Sequence, residues 1–333
     1  MKSFALRIMG LIFTYILFVP AGFSAEKTVL VIESYHKEMF WDAGYRKGII
    51  DALGEHITIN FFEMNTKRIP KTEYPARIEA AITSIDNIKP DLIILGDDNA
   101  LNFIGKEVLK RNIPLVFLGI NNNPRFYFNG TIPLGMTGVL EMPQLKRHLN
   151  FIKEIEPNWK KALVLFDNSN TSNIYKSAPY YFQGKSEIKL LGLSVEIYLT
   201  NSYEELQARV KKAQNEKDIL FIGGINTLTN ADKRHISTDE ATNWIYKNSK
   251  IPLFGFWRGM AGPQKAIGGY VIDGEAMGTQ AAKLASKILD GTPINTLPIE
   301  RLTKGRLVLS KSGLNHWDIK IPEGLSEPIE YID

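Results

Sequence analysis

The sequence predicts an α/β protein built from two lobes with parallel sheets. Six short apolar runs each end in a polar or aromatic loop, and helical periodicity follows many of these loops. Apolar runs of four to six residues bounded by turn residues are typical of buried parallel strands. Three of the runs lie before residue 125 and three after residue 160. This division predicts two sheets, and ligands of such sheets bind beyond the carboxyl ends of the strands.

The first half of the chain alternates strands with helices. We expect strands at residues 28–33, 57–63, 91–96, 114–119 and 136–140, and helices at 39–53, 74–88 and 100–111. Thr72 is the predicted N-cap of the second helix, and Pro90 ends that helix. The segment 121–134, rich in Asn, Pro and Gly, predicts a long loop.

The second half repeats the pattern. We expect strands at residues 162–166, 193–199, 218–223, 252–256, 266–272, 297–302 and 305–310, and helices at 142–154, 174–185, 203–214, 238–248 and 274–289, with a last turn at 311–317. Ser202 and Asp273 are predicted N-caps, the former with Glu205 as its capping-box partner. Gly291 and Pro293 follow the last long helix in the order typical of a helix end.

The N-terminus has the pattern of an export signal. Lys2 and Arg7 precede a nine-residue apolar run, and a segment with small residues follows it. The run is shorter than the roughly 20 residues of a membrane span. We therefore expect residues 1–25 to be a signal peptide and the mature protein to lie in the periplasm, with an uncleaved anchor as the alternative. Because the chain has no cysteine, it is not a lipoprotein.

Composition excludes several classes of function. The 333 residues are 44% hydrophobic with a formal net charge of +4, which suits a soluble protein of about two domains and indicates no nucleic-acid partner. The chain lacks the G-x-S-x-G elbow, the phosphate-binding P-loop and the G-x-G-x-x-G fingerprint, and its five histidines are scattered. We expect no enzyme, no cofactor and no metal. Asp97 and Asp98 as cation ligands are the alternative to helix-start carboxylates.

The strand-end loops carry side chains suited to binding a small solute. Four aromatic residues, Tyr35, Trp41, Tyr175 and Trp257, can stack on a flat ligand, and Arg258 can pair with a carboxylate through two hydrogen bonds. Trp41 as core and Asn121–Asn123 as a turn former are the alternatives. The strand-end polar residues His36, Asn122, Asn168 and Asn226 complete this group. Hinge closure of two lobes around a polar solute requires a partner for each polar group.

Several segments resemble the ABC transporter substrate-binding protein family of the type I periplasmic-binding fold. They are SYH with Trp41, PDLIILGDDNAL at 90–101, IPLVFLGINN at 113–122, TGVLE at 137–141 and the closing block at 251–294. The resemblance implies two Rossmann-like lobes joined by three hinge crossings, near 139–142, 271–273 and 291–294. The N-terminal lobe would comprise 26–140 plus 272–292, and the C-terminal lobe 141–271 plus 293–333.

The resemblance also implies a function and a site. The protein would be a monomer that captures an amino-acid-like or sugar-like solute for an ABC permease. Since the first segments resemble sensor modules, a ligand-binding subunit of a membrane histidine kinase or diguanylate cyclase is the alternative. The chain departs from transport members at residues 256–258, where smaller residues are usual. The implied ligand-binding positions are Ser34, Tyr35, Asp97, Asp98, Asn99, Asn121, Asn168, Thr171, Asn226, Trp257 and Asp273.

Overall fold

The structure is a computed structural model that describes residues 26–141, 144–178, 181–302, 306–325 and 327–333. The predicted signal peptide, 1–25, lies outside the described residues. Of the helices in the described ranges, none is both long and apolar enough to cross a membrane.

The described residues form strands and helices that alternate through most of the chain. The strands are β1 (Lys27–Glu33), β2 (Ile57–Glu63), β3 (Leu92–Gly96), β4 (Leu115–Ile120), β5 (Met136–Leu140), β6 (Lys161–Phe166), β7 (Glu187–Leu190), β8 (Leu193–Leu199), β9 (Ile219–Ile222), β10 (Leu253–Gly255), β11 (Gly268–Val271), β12 (Glu300–Arg301), β13 (Arg306–Ser310) and β14 (Ile329–Ile332). The helices are α1 (Phe40–Leu53), α2 (Tyr74–Ile88), α3 (Asp97–Lys110), α4 (Leu145–Ile155), α5 (Asn170–Ser177), α6 (Tyr203–Ala213), α7 (Thr238–Asn248), α8 (Gly274–Leu289) and α9 (Lys311–His316).

The first lobe is built on a parallel sheet in the order β12-β5-β4-β3-β1-β2. Both faces of its central strands are buried. Leu30 and Ile32 of β1 face the core that contains α2 and α3, whereas Val29 and Val31 face the core that contains α1 and α8. Alternate side chains point to opposite faces of a strand, so only an unbroken apolar run can serve both cores.

Helices α1 and α8 pack against each other on one face of this sheet. A Cβ atom on Gly48 would lie 2.1 Å from the Glu275 carbonyl oxygen, and one on Gly278 would lie 2.1 Å from that of Tyr45. The two glycines therefore permit a backbone approach that larger residues would block. Asp273 caps α8 by accepting a hydrogen bond from the Glu275 amide at 3.0 Å, as predicted.

The second lobe contains two sheets. One has the order β10-β9-β6-β8-β7 and is parallel except for its edge strand β7, and the other has the order β11-β13-β14. The sequence predicted parallel sheets only, whereas β7 is antiparallel to β8 and β11 is antiparallel to β13. Only two residues separate β7 from β8, and a connection this short can join antiparallel strands but not parallel ones.

The chain passes between the lobes at three places. It crosses between Leu140 and Leu145, between Val271 and Gly274, and after Arg301. The last crossing lies further along than the predicted 291–294, and residues 293–301 are not part of the second lobe. The reason is that Glu300 and Arg301 pair in parallel with Val139 and Leu140, which keeps this segment on the edge of the first sheet.

Two local predictions were wrong. Helix α5 begins at Asn170 and ends at Ser177, before residues 179 and 180, which lie outside the described part. It begins early because the Ser169 side chain accepts a hydrogen bond from the Ser172 amide and caps it. Thr72 does not cap α2, since it lies within a 3₁₀ turn, Lys71–Glu73, that leads directly into the helix.

Candidate functional site

A chamber lies between the lobes where the six predicted strand ends meet. Tyr35 follows β1, Asp97 follows β3 and Asn121 follows β4, and across the cleft the loops after β6, β9 and β10 complete the wall. The free volume of the chamber is about 30 Å³ in this structure, room for only one or two water molecules, so a larger solute requires the lobes to separate. Its lining consists of Tyr35, Met39, Phe40, Trp41, Lys67, Asp97, Asn121, Glu141, Ser169, Thr171, Gly224, Asn226, Trp257 and Met260.

Aromatic rings form much of this lining. Tyr35 and Trp41 come from the first lobe and Trp257 from the second, and each is less than a tenth exposed. Trp257 also packs edge-on against Tyr175 and Phe166, with ring centroids 6.0 and 6.3 Å apart. Trp41 is therefore a core residue whose ring also forms part of the chamber wall.

Asp97 presents a buried carboxyl group to the chamber. Its backbone has φ of 68°, an unusual conformation for a residue with a side chain, at the point where β3 turns into α3. One carboxylate oxygen accepts a hydrogen bond from the Trp41 indole N–H at 3.1 Å. Burial, together with the nearby carboxyls of Asp42 and Glu141, raises the pKa of Asp97 well above its usual value. A cationic group on a ligand would relieve that cost.

Asp98 has a different set of partners and stabilises the loop that forms part of the chamber wall. Its carboxylate accepts hydrogen bonds from the backbone amides of Asn121 and Asn122 and from the Tyr127 hydroxyl, at 3.1, 3.2 and 2.6 Å. These bonds hold the loop after β4 in place. The two adjacent carboxylates therefore serve different partners, and neither caps α3, whose N-cap is Gly96.

Glu141 lies at the first crossing between the lobes and is also buried. One oxygen accepts a hydrogen bond from the Trp257 indole N–H at 2.9 Å, and the other accepts one from the Asn121 side-chain amide at 3.3 Å. Burial raises the pKa of Glu141 to about 8, although the bond from Trp257 opposes the shift. The chamber therefore has two carboxyl groups whose protonation responds to what lies beside them.

The second-lobe rim is organised by Asp167, which the sequence analysis did not single out as a site residue. Its carboxylate accepts hydrogen bonds from the Ser169 amide and the Ser172 hydroxyl, and from the backbone amides of Asn226 and Thr227 at 2.8 and 3.1 Å. One buried carboxylate thus joins the loops after β6 and β9. This arrangement places the start of α5 at the chamber wall, where first-turn backbone N–H groups lack helical partners.

Among the residues that the structure describes, three side-chain hydrogen bonds cross the cleft. The hydroxyls of Tyr35 and Thr171 are 3.3 Å apart, the Tyr175 hydroxyl donates to Asn121 at 2.6 Å, and Trp257 donates to Glu141. Each joins a strand-end loop of one lobe to a residue of the other. The lobes are therefore in contact through the same residues that line or support the chamber.

The chamber opens in two directions. One mouth is rich in amide side chains and includes Asn99 and Asn168, and the other carries charged side chains and includes His36. Asn99 donates to the Thr66 hydroxyl at 2.9 Å, and Asn168 accepts from the Asn173 amide at 2.8 Å. These three sequence-predicted residues lie at the mouths and not in the chamber.

Three other predicted residues have partners elsewhere. Ser34 donates to the Gly96 carbonyl and accepts from the Ala100 amide, so that it joins β1 to the start of α3. Arg258 is the first residue of the 3₁₀ turn Arg258–Met260, and its guanidinium group pairs with Glu330 at 2.5 Å. Asp273 caps α8 at the second crossing.

The sequence analysis did not predict several residues that line the chamber. They are Met39, Phe40, Lys67, Glu141, Ser169, Gly224 and Met260. Lys67 and Glu141 matter most, because each brings an amine or carboxyl group to the chamber. Lys67 follows β2 and Glu141 follows β5, so a search extended to every strand end would have found both.

Comparison with known proteins gives a family match over most of the chain. The family model described as ABC transporter substrate binding protein matches residues 43–330. A protein named tyrosine-binding protein from Clostridioides difficile (strain R20291) is 21% identical over 186 residues, which are 56% of this chain and 50% of that protein. The chain thus spans about half the length of this curated relative.

Solved structures share the fold at low sequence identity. An ABC domain in complex with L-Trp from Streptococcus pneumonia has a TM-score of 0.68 at 18% identity, covering 92% of this chain and 100% of that chain. The ligand-free, open structure of CD0873, a substrate-binding protein with adhesive properties from Clostridium difficile, has a TM-score of 0.63 at 17% identity, covering 92% and 99%. The leucine-binding protein LivK from Thermotoga maritima MSB8 has a TM-score of 0.51 at 13% identity, covering 79% and 83%.

Proposed function

We propose that this chain, which belongs to the ABC transporter substrate-binding protein family, captures an amino acid with a flat side chain between its two lobes. The observation that carries the proposal is the buried Asp97 carboxyl, which faces a chamber walled by Tyr35, Trp41 and Trp257. A protonated amine on the ligand would place a positive charge beside the Asp97 carboxylate. The aromatic rings would cover an apolar face of the ligand.

The relatives support an amino acid over a sugar. One relative is named for tyrosine binding, and one solved structure holds L-Trp. A sugar offers hydroxyl groups but no cation, so it would not stabilise the ionised form of the buried Asp97 carboxyl, whereas an ammonium group would. The chemistry of Asp97 and Glu141 therefore favours a ligand with an ammonium group.

The transport role is part of the same proposal. A family of ABC substrate-binding proteins implies an ABC permease as partner and a site of action outside the cytoplasm, in the periplasm if residues 1–25 are a cleaved signal. Hinge closure around the solute would then produce the form that docks on the permease. The chamber supports binding and release; none of its described side chains pairs a nucleophile with a base in the manner of a hydrolase.

The test is a thermal-shift screen of the purified protein against the amino acids, followed by calorimetry. We expect L-tryptophan or L-tyrosine to raise the melting temperature, since a ligand at a hundredfold excess over Kd stabilises the folded state by about 2.7 kcal/mol. Asp97→Asn should lose this shift while keeping the fold, because it removes a carboxyl that can ionise beside an ammonium group and retains an oxygen for Trp41.

Asp98→Asn is the matched comparison. Its carboxylate is equally buried, but its bonds go to the loop after β4. We expect it to lower the melting temperature without ligand and to retain a ligand-induced shift. If no amino acid binds the wild type, or if Asp97→Asn binds as tightly as the wild type, the proposal is wrong.

A further inference from the structure

The side chain of Lys67 lies where the chamber joins both of its mouths. It lines the chamber, the amide-rich mouth and the charged mouth. Its Nζ atom is 3.7 Å from the centroid of the Tyr35 ring and 3.9 Å from the Met39 sulphur. Within the described part of the chain, its ammonium thus contacts a ring and a sulphur and makes no ion pair.

Two other cations, both at the charged mouth, have carboxylate partners. Arg68 pairs with Glu38 at 3.1 Å, and Lys265 pairs with Asp239 at 2.7 Å. The buried carboxyl groups of Asp97 and Glu141 are neighbours of Lys67 in the chamber, but within the described residues neither forms an ion pair with it, and burial raises the pKa of both, which favours their uncharged forms. The charge of Lys67 is therefore available to a ligand.

We propose that Lys67 sets the specificity of the cleft, by pairing with the carboxylate of a zwitterionic ligand and by repelling the corresponding amine. The inference depends on the proposed function, because it assigns the second charged group of the same ligand. A zwitterion places its ammonium at Asp97 and its carboxylate at Lys67. An amine without a carboxylate meets Lys67 with no compensating charge.

The position of Lys67 relative to the opposite lobe supports this assignment. Ser169 and Thr171, at the start of α5, line the same junction between the chamber and the amide-rich mouth. A carboxylate there would lie between the Lys67 ammonium of the first lobe and hydroxyl donors of the second. It would therefore bridge the lobes and favour the closed form.

The experiment measures affinities for matched ligand pairs by calorimetry. The pairs are L-tryptophan with tryptamine and L-tyrosine with tyramine, which differ only in the carboxylate. The wild type should prefer the amino acid. Lys67→Met should weaken amino-acid binding by about tenfold or more, the low end for a charge-assisted hydrogen bond, and should leave amine binding unchanged or tighter. Lys67→Arg should retain most of the preference.

Lys71→Met is the control, because Lys71 is exposed and lines only the amide-rich mouth. It should bind both ligands of each pair as the wild type does. The inference is overturned if Lys67→Met binds the amino acid normally, or if it loses amino acid and amine equally, as a purely structural role would predict. A wild type that binds no amino acid would instead refute the proposed function, and this inference with it.

Discussion

The hydroxyl of Tyr175 donates a 2.6 Å hydrogen bond across the cleft to the side-chain oxygen of Asn121. Both residues are buried. The side-chain amide of Asn121 also donates to the carboxylates of Asp98 and Glu141, at 3.3 Å each. Helix α5 of the second lobe is thereby joined to the hydrogen-bonded chamber wall of the first lobe. We therefore expect closure of the cleft to complete this network.

Tyr175→Phe should weaken closure. In the closed form the variant leaves the Asn121 oxygen buried without a donor, at a cost of about 1–3 kcal/mol, whereas water satisfies that oxygen in an open form. We expect a larger radius of gyration in small-angle X-ray scattering without ligand, and roughly tenfold weaker binding of L-tryptophan by calorimetry.

Tyr74→Phe is the matched control for this variant. The Tyr74 hydroxyl donates to the Thr66 carbonyl at 2.6 Å, a bond of the same length within the first lobe. It should lower the melting temperature but leave the radius of gyration and the affinity unchanged. Equal effects of the two substitutions on affinity would show that the Tyr175 bond has no special part in closure.

Ligand binding should release protons at pH 7. Burial raises the pKa of Glu141 to about 8, so its carboxyl is protonated in the empty cleft, and an ammonium ion beside it would favour the carboxylate. The binding enthalpy of L-tryptophan should then differ between phosphate and Tris buffers, which have different ionisation enthalpies. Glu141→Gln should reduce this difference, and equal enthalpies in both buffers for the wild type would contradict the prediction.

The raised pKa of Glu141 also makes the stability of the ligand-free protein depend on pH. Because the folded-state pKa of Glu141 lies above the unfolded value, folding takes up a proton between about pH 4.5 and 8. The contribution of Glu141 is therefore present below that range and is lost as the pH rises through it. Glu141→Gln should flatten the fall in melting temperature between pH 5 and 8.

His148 should make the second lobe sensitive to acid. Its ring is fully buried against the edges of Phe221, Phe256 and Phe254, with centroids 4.9, 5.4 and 5.9 Å away, and burial lowers its pKa to about 3. The unfolded chain binds a proton at His148 below about pH 6.5 and the folded chain does not. Stability is therefore lost as the pH falls from 6.5 towards 3.

His148→Leu tests this prediction by urea unfolding at pH 7.5 and 4.5. The wild type should lose about 2–3 kcal/mol more than the variant over that interval. His56→Leu, at an exposed position before β2, serves as the control and should follow the wild-type profile. Parallel losses in wild type and His148→Leu would remove His148 as the acid-sensitive group.

The predicted α/β fold of two lobes is confirmed, although β7 and β11 pair in antiparallel fashion, and its physical basis is the burial of both strand faces. A strand such as Leu92–Leu95 has apolar side chains on both faces, and these are buried only where helices cover both sides of the sheet. Its sequence alone therefore predicts a central strand between two helical layers. The third crossing was misplaced because Glu300–Arg301 is a two-residue strand. Its pairing depends on the free edge of β5, which no local pattern reveals.

The sequence by itself determined the strand ends and the chemical types they carry, because a buried strand must be apolar and the loop after it is free to be polar. Tyr35, Asp97 and Trp257 were all named on that basis, and all line the chamber. Only the tertiary structure decided that Lys67 and Glu141 also line the chamber, that Asp98 binds the loop after β4 instead, and that Arg258 pairs with Glu330. The reason is that charge pairing and burial depend on which loops meet across the cleft, and residues from distant parts of the chain supply those loops.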